Sequence, residues 1–363
     1  MRKGILYIAL LFLFRPHSAQ IELPLSDITL PPGFDIEVYA LGLDSVRAID
    51  FAPDGVLFAG SRAGSVYAVL GNGDIIVIDR GIDWPMGVDF YRGNLYVSSH
   101  SSVYVYKDIQ KQYRSAKKEV YYSGFPSERQ HGWRYIRFGP DGNLYASIGM
   151  PCNVCEKKSP VYGTITRIVS DGSYTEVYAD GIRFSVGFDW HPKSGHLWFT
   201  DNGRDGMGDS LPPDELNRAT EKGQFFGFPY IHGTKIREPS FSRTRKHAVT
   251  ISPQVELPAH VAALGMRFYD GTAFPAKYRG GIFIAEHGST DRSEPIGYRV
   301  SFVAVKNNEA VRYEPFAEGW IDQRERWGRL ADVAVGPDGA LYVSDDRAHA
   351  VYRIYYKESR KSP

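Results

Sequence analysis

Hydrophobic residues along this chain recur at the two-residue spacing of half-buried strands, and helical spacing is scarce. Val186, Phe188 and Trp190 alternate with small or polar neighbours and mark one strand. Pro192, Lys193, Ser194 and Gly195 make a turn, and Leu197 and Phe199 begin the partner strand. A loop dense in glycine and carboxylates follows Thr200. Such a loop packs poorly into a core, so it is either solvated filler or a binding site.

The strand, turn and strand unit repeats. FAPDGVLFAG (51–60), FGPDGNLYASIG (138–149) and VGPDGALYVSDD (335–346) share an Asp-Gly turn, which readily supplies the positive φ that tight hairpins need. Looser copies are FYRGNLYVSS (90–99), WHPKSGHLWFTDNG (190–203) and YRGGIFIAEHG (278–288). Six units leave roughly 57 residues each, above the usual length of a propeller blade, with long loops as the excess. The widest gap, Arg204 to Ala259, carries several prolines and glycines with little alternation, and reads as an insertion over one face. The expected fold is therefore all-β, a six-bladed β-propeller, with a pair of β-sandwiches as the competing arrangement. No low-complexity linker divides the chain, so residues 20–363 read as a single β-propeller domain.

Arg2 and Lys3, an apolar run from Ile5 to Phe14, and the short segment ending at Ala19 have the layout of a secretory signal peptide over residues 1–19. This predicts a secreted or periplasmic protein, with an uncleaved anchor as the alternative. No other stretch approaches the roughly 20 apolar residues of a membrane helix. Forty-three Lys and Arg against 42 Asp and Glu give a net charge of +1, which argues against nucleic acid as a partner. The two cysteines, Cys152 and Cys155, lie in Pro-Cys-Asn-Val-Cys. In an exported chain this spacing suits a small disulfide-closed loop, with free thiols next, and the ligands for a structural zinc are missing.

Propellers bind ligands where strand ends and loops converge on the central channel, so residues flanking each repeat carry the most weight. Arg47, His131 with Arg134, Arg183, His260 with Arg267, and Arg329 all precede the repeated phrase. Each arginine alone suits a strand-end salt bridge; together they suit an anionic ligand. His131 stands in Gln-His-Gly-Trp-Arg, where an imidazole suits either a general base or a hydrogen-bonded strand end. His191 and His196 flank a turn and read as solvent-exposed. Asp201, Asp205, Asp209, Asp214 and Glu215 offer oxygen ligands for calcium, or form a solvated acidic loop. The spacing is not that of an EF-hand, because Gly203 and Pro212 fall where that motif needs oxygen side chains.

The segment 181–217, together with HGWRYIRFGPDGNLYASIGMPCNVC (131–155), PAHVAALGMRFYDG (258–271) and IFIAEHGS (282–289), resembles the glucose/sorbosone dehydrogenase family, which are quinoprotein six-bladed propellers. The sorbosone or pyranose dehydrogenase-like branch is the most similar. The resemblance implies an enzyme that uses pyrroloquinoline quinone and calcium to oxidise a sugar or sugar-like alcohol or aldehyde, passing electrons to an unidentified acceptor. By the same resemblance, His131 is the catalytic base, Arg183 and Arg329 contact the cofactor carboxylates, and Asp346 is a further cofactor-side position. His260 lies near a cofactor-stacking position, with Arg47 and His287 as weaker matches. Gly203 and Arg204, with Asn202 beside them, fall where the family offers backbone carbonyls to calcium. Phe184 departs from the common Asn, and Thr290 and Asp291 from the Trp and Asn of close relatives. A calcium-dependent hydrolase or lactonase and a non-catalytic binding propeller remain the competing functions.

Overall fold

The structure, a computed structural model, describes residues 22–169, 172–173, 175–241, 249–322 and 325–357. The expected signal peptide lies outside these residues. Six antiparallel sheets follow one another along the chain, each built in sequence order from its first strand outward. Blade 1 comprises Val46–Phe51, Leu57–Ser61, Ser65–Val69 and Ile75–Arg80, and blade 2 Gly87–Tyr91, Asn94–Ser98, Ser102–Tyr106 and Lys118–Ser123. Blade 3 comprises Ile136–Phe138, Leu144–Ile148, Thr164–Ile168 and Thr175–Asp180, with Gln224–Phe225 added in parallel at its edge. Blade 4 comprises Phe188–Trp190, Leu197–Asp201, Asp214–Ala219 and Val255–Leu257, and blade 5 Ala263–Phe268, Ile282–Glu286, Arg299–Lys306 and Glu309–Glu318. Blade 6 begins with Leu330–Val335, Leu341–Asp345 and Ala350–Tyr356, and takes its fourth strand, Phe34–Leu41, from the opposite end of the chain.

The second strand of each blade explains why the alternation is imperfect. Leu57–Ser61, Leu144–Ile148, Leu197–Asp201, Ile282–Glu286 and Leu341–Asp345 are buried at every position, because neighbouring blades cover both faces of each sheet. The Asp-Gly turns that enter them hold Gly55, Gly142 and Gly339 at φ of 88°, 76° and 75°. The ring closes on aromatic rings. Phe34, on the strand borrowed by blade 6, sits edge-on to Phe274, Phe316 and Tyr278 at centroid separations of 4.7, 5.0 and 5.4 Å. Each such pair adds about 0.5–1.5 kcal/mol beyond its burial and holds the borrowed strand against blade 5, while its pairing with Ala350–Tyr356 joins the two ends of the chain.

The first strands are tied to one another by a belt of charges around the axis. Asp50 of blade 1 accepts the Phe90 N–H (2.8 Å), Asp89 of blade 2 the Phe138 N–H (2.8 Å), and Asp189 of blade 4 the Phe268 N–H (3.0 Å). Asp332 of blade 6 accepts the Ile49 N–H (3.1 Å). Where the register calls for the same residue in blades 3 and 5, arginine stands instead. Arg137 lies 3.1 Å from Asp189, and Arg267 donates to the Tyr135 hydroxyl at 2.7 Å and lies 3.6 Å from Asp50. The aspartates of blades 6, 1 and 2 are consecutive, and burial and then the Asp50 charge push the Asp89 pKa up to about 8; backbone donors from the next blade and the two arginines offset the burial of the carboxylates.

Two expectations change. The segment Arg204 to Ala259 is not all insertion, because it contains the third and fourth strands of blade 4. The added part lies between them and carries a short hairpin, Ile231–His232 with Ile236–Arg237. Arg134 and Arg267 do not join the other cations. Arg134 is buried and donates to the carbonyls of Pro126, His100 and His131, while Arg267 lies within its strand and serves the belt.

Candidate active site at one end of the channel

The residues that precede the first strands of blades 3 and 6 meet the loops of blades 4 and 5 around a cleft of about 200 Å³. His131, Arg183, Phe184, Asn202, Gly203, His260, Asp291 and Arg329 all line it.

His131 is shaped by three neighbours. Its Nδ1 lies 2.7 Å from the Met150 carbonyl, an acceptor only, so Nδ1 carries the proton and Nε2 keeps its lone pair. Phe184 stacks on the imidazole at 4.5 Å and 22°, which fixes the plane of the ring. Gly149 permits this approach, since a Cβ there would come within 2.6 Å of His131 Cβ and 2.7 Å of Phe184 Cδ2. Burial, and then the Arg183 charge, pull the His131 pKa down to about 3, against the Met150 hydrogen bond. The ring is therefore neutral through the physiological range. His287 repeats the arrangement, with Nδ1 2.7 Å from the Leu330 carbonyl and its pKa held well below the usual value by burial and then by Arg47 and Arg329.

The three arginines differ in what they have left to give. Arg183 is almost fully engaged by its own chain. It donates to the Asn153 carbonyl (2.9 Å), the Asn153 side chain (3.0 Å), the Asn202 carbonyl (3.3 Å) and Asp205 (3.1 Å). Asn153 is held there by the loop that the Cys152–Cys155 disulfide closes. Arg47 pairs with Asp346 at 2.5 Å and lies over the Trp133 ring, yet its buried Nε has no partner among the described residues. Arg329 spends Nε and Nη2 on the His287 and Gly288 carbonyls, at 3.4 and 3.2 Å, and leaves Nη1 unbonded.

On the opposite wall stand the carboxylates of the 201–215 segment, and most are not a solvated loop. Asp201 is buried and accepts the N–H groups of Arg183 (2.9 Å) and Phe184 (2.6 Å). Asp214 accepts those of Gly203 and Ala263, and Glu215 that of Gly233. Burial raises the pKa of Asp201 to about 7 and of Asp214 to about 6, each against the hydrogen bonds that favour the charged form. These three carboxylates position backbone; Asp205 is the exposed member at the cleft. The Arg204 side chain turns away from the cleft toward both oxygens of buried Glu238 (2.9 and 3.1 Å), so what Arg204 can offer the cleft is backbone. His260 Nε2 lies 2.9 Å from the Gly208 carbonyl.

The pattern of cations and histidines at the ends of propeller strands agrees with the comparisons to known proteins. Residues 96–353 match the family model described as glucose/sorbosone dehydrogenase. The chain belongs to the glucose/sorbosone dehydrogenase family. A Borreliella burgdorferi protein described only as uncharacterized is 36% identical over 97% of both chains. The holo form of the pyranose dehydrogenase PQQ domain from Coprinopsis cinerea superposes with a TM-score of 0.76 at 18% identity, covering 90% of this chain and 97% of that one. A calcium structure of a Trichoderma reesei enzyme of Carbohydrate-Active Enzymes Family AA12 gives 0.76 at 18%, covering 91% and 97%. At that identity the two structures establish the six-bladed fold. Within this glucose/sorbosone dehydrogenase fold, Asn153 and the charged belt are the positions that the flanking-residue argument passed over. The belt had a visible signal, in Ile-Asp-Phe (49–51), Val-Asp-Phe (88–90), Ile-Arg-Phe (136–138), Phe-Asp-Trp (188–190) and Met-Arg-Phe (266–268).

Proposed function

We propose that this chain is an exported dehydrogenase that oxidises a sugar or sugar-like alcohol or aldehyde with pyrroloquinoline quinone and calcium. The observation that carries the reading is His131, a neutral imidazole whose Nε2 lone pair is available beside a cleft whose wall carries an unspent donor on Arg329. The residues fit the cofactor. A tricarboxylate quinone needs cations with free N–H groups, and Arg329 Nη1 supplies one on the cleft wall, while Arg47, with its orphaned Nε, stands outside the lining residues. The backbone of Gly203 and Arg204, with Asn202, would hold calcium, and Asp346 and His260 complete the cofactor's surroundings. When bound, the quinone supplies the electron sink for the substrate's hydride, with calcium polarising it.

The chain's own residues do the rest. His131 Nε2 accepts the proton of the substrate hydroxyl, while the Met150 carbonyl and the Phe184 ring keep the imidazole from rotating as it takes up charge. Its low basicity reflects burial and then Arg183; an anion seated by Arg329 would add the opposite field and strengthen the base. Export rests on the leader-like residues 1–19 and agrees with the Cys152–Cys155 disulfide, which belongs in an oxidising compartment. No helix among the described residues is long and apolar enough to cross a membrane. The experiment is to load the purified chain with calcium and pyrroloquinoline quinone and follow dye reduction with a panel of sugars. Dye reduction that requires both additions supports the reading. Lactone or ester turnover with calcium alone would move the assignment to a hydrolase.

A further inference from the structure

The rim of the cleft holds a second set of donors with ligand atoms to spare. Asp205 from the loop of blade 4, His260 from the segment entering blade 5, and Asp291 from the loop after Ile282–Glu286 each bring one ligand atom within 4.8 Å of the others. Exposed carboxylates often gather without a ligand; the histidine sets this group apart. His260 is 7% exposed and spends Nε2 on the Gly208 carbonyl at 2.9 Å. A carbonyl only accepts, so Nε2 holds the proton and the lone pair is on Nδ1, which has no hydrogen-bond partner among the described residues. A histidine that ligates a metal characteristically spends its other ring N–H in this way. The carboxylates are braced similarly, each through one oxygen. Asp205 Oδ2 lies 3.1 Å from Arg183, and Asp291 Oδ2 accepts the Gly206 N–H at 2.8 Å.

We propose that Asp205, His260 and Asp291 form a divalent-metal site on the cleft rim that takes a first-row transition ion, zinc or manganese, in preference to calcium. Calcium takes six to eight oxygen ligands, whereas one imidazole with two carboxylates is a donor set for zinc or manganese. The ligands are side chains of the same cleft, distinct from the Gly203 and Arg204 backbone assigned to calcium, and the ion is bound without the quinone. An ion there fastens the loop of blade 4 to that of blade 5, which are already joined where Ser293 N–H and Arg292 donate to Asp209 (3.1 and 2.8 Å).

The test uses the full chain, stripped of metal and then held in millimolar calcium without quinone, and titrated calorimetrically with zinc and with manganese. We expect one ion bound per chain, with affinity reduced at least tenfold in His260→Gln and in Asp291→Asn. Asp291 is exposed, so the second variant keeps the fold and the comparison stays informative even where the first is destabilised. No ion bound by the wild-type chain, or unchanged affinity in both variants, overturns the proposal, as does displacement of the ion by calcium. Because no quinone is present, failure of the dehydrogenase reading leaves this result untouched.

Discussion

The channel carries charge in two places, and the two are built differently. In the belt, Asp50, Asp89, Asp189 and Asp332 each accept a backbone N–H from the next blade, and Arg137 and Arg267 fill the remaining positions. At the cleft, the same residue types are left incomplete. Among the described residues Arg329 Nη1 has no hydrogen-bond partner and no donor meets the His131 Nε2 lone pair, and Arg47, outside the cleft lining, has an unpartnered Nε. A buried polar group that is left unsatisfied costs about 1–3 kcal/mol, so a fold tolerates it only where something compensates. The contrast is one of use: in the belt each aspartate takes a backbone N–H from the next blade, although Arg137 Nη1 has no hydrogen-bond partner among the described residues, whereas at the cleft the free donor and lone pair face space that a ligand can fill.

The sharpest break in that comparison is Asp332→Ala. It removes the acceptor for the Ile49 N–H and leaves Arg267 in a belt short of one carboxylate, so we expect a stability loss of about 3–5 kcal/mol in chemical denaturation. Arg329→Ala should cost less stability, about 1–2 kcal/mol from the His287 and Gly288 carbonyls it leaves, while weakening quinone binding by tenfold or more in a spectroscopic titration. Replacing both Cys152 and Cys155 by Ser should cost only about 1–2 kcal/mol, because the closed loop is short, yet it should also weaken quinone binding by loosening Asn153 behind Arg183. Equal effects of Asp332→Ala and Arg329→Ala on stability would erase the distinction between belt and cleft.

The smallest effect concerns protons. Below its ordinary value near 6.5 the unfolded His131 imidazole binds a proton, whereas the folded one does not until about pH 3. Stability from this residue is therefore lost as pH falls through that window. Between pH 6.5 and 5.5 the quinone-free wild-type chain should lose about 1 kcal/mol more than His131→Gln, measured by denaturation at each pH.

The six repeats were legible because Asp-Gly turns and strand pairs are local. The closing strand was not, since Phe34 pairs with Tyr356 at the far end of the chain and nothing near Phe34 announces its partner. Cations flanking the repeats were legible as a group, but their roles depended on where each side chain turned. Arg134 points inward to the carbonyls of His131, Pro126 and His100, and Arg183 is engaged by Asn153 and Asp205, choices that depend on how the loops fold around each guanidinium. Asp201, Asp214 and Glu215 looked like a loop because runs of carboxylate are rare in strands; they are buried by the backbone N–H groups they accept.

The central claim is that His131 is the base of a quinone-dependent sugar dehydrogenase. The most direct test compares the wild-type chain with His131→Ala after loading both with calcium and pyrroloquinoline quinone, reading quinone uptake by its absorbance and turnover by dye reduction. We predict that both bind quinone, and that the variant turns over at least a hundredfold more slowly. Full dye reduction by His131→Ala, or no quinone uptake and no dye reduction by the wild-type chain, would contradict the account.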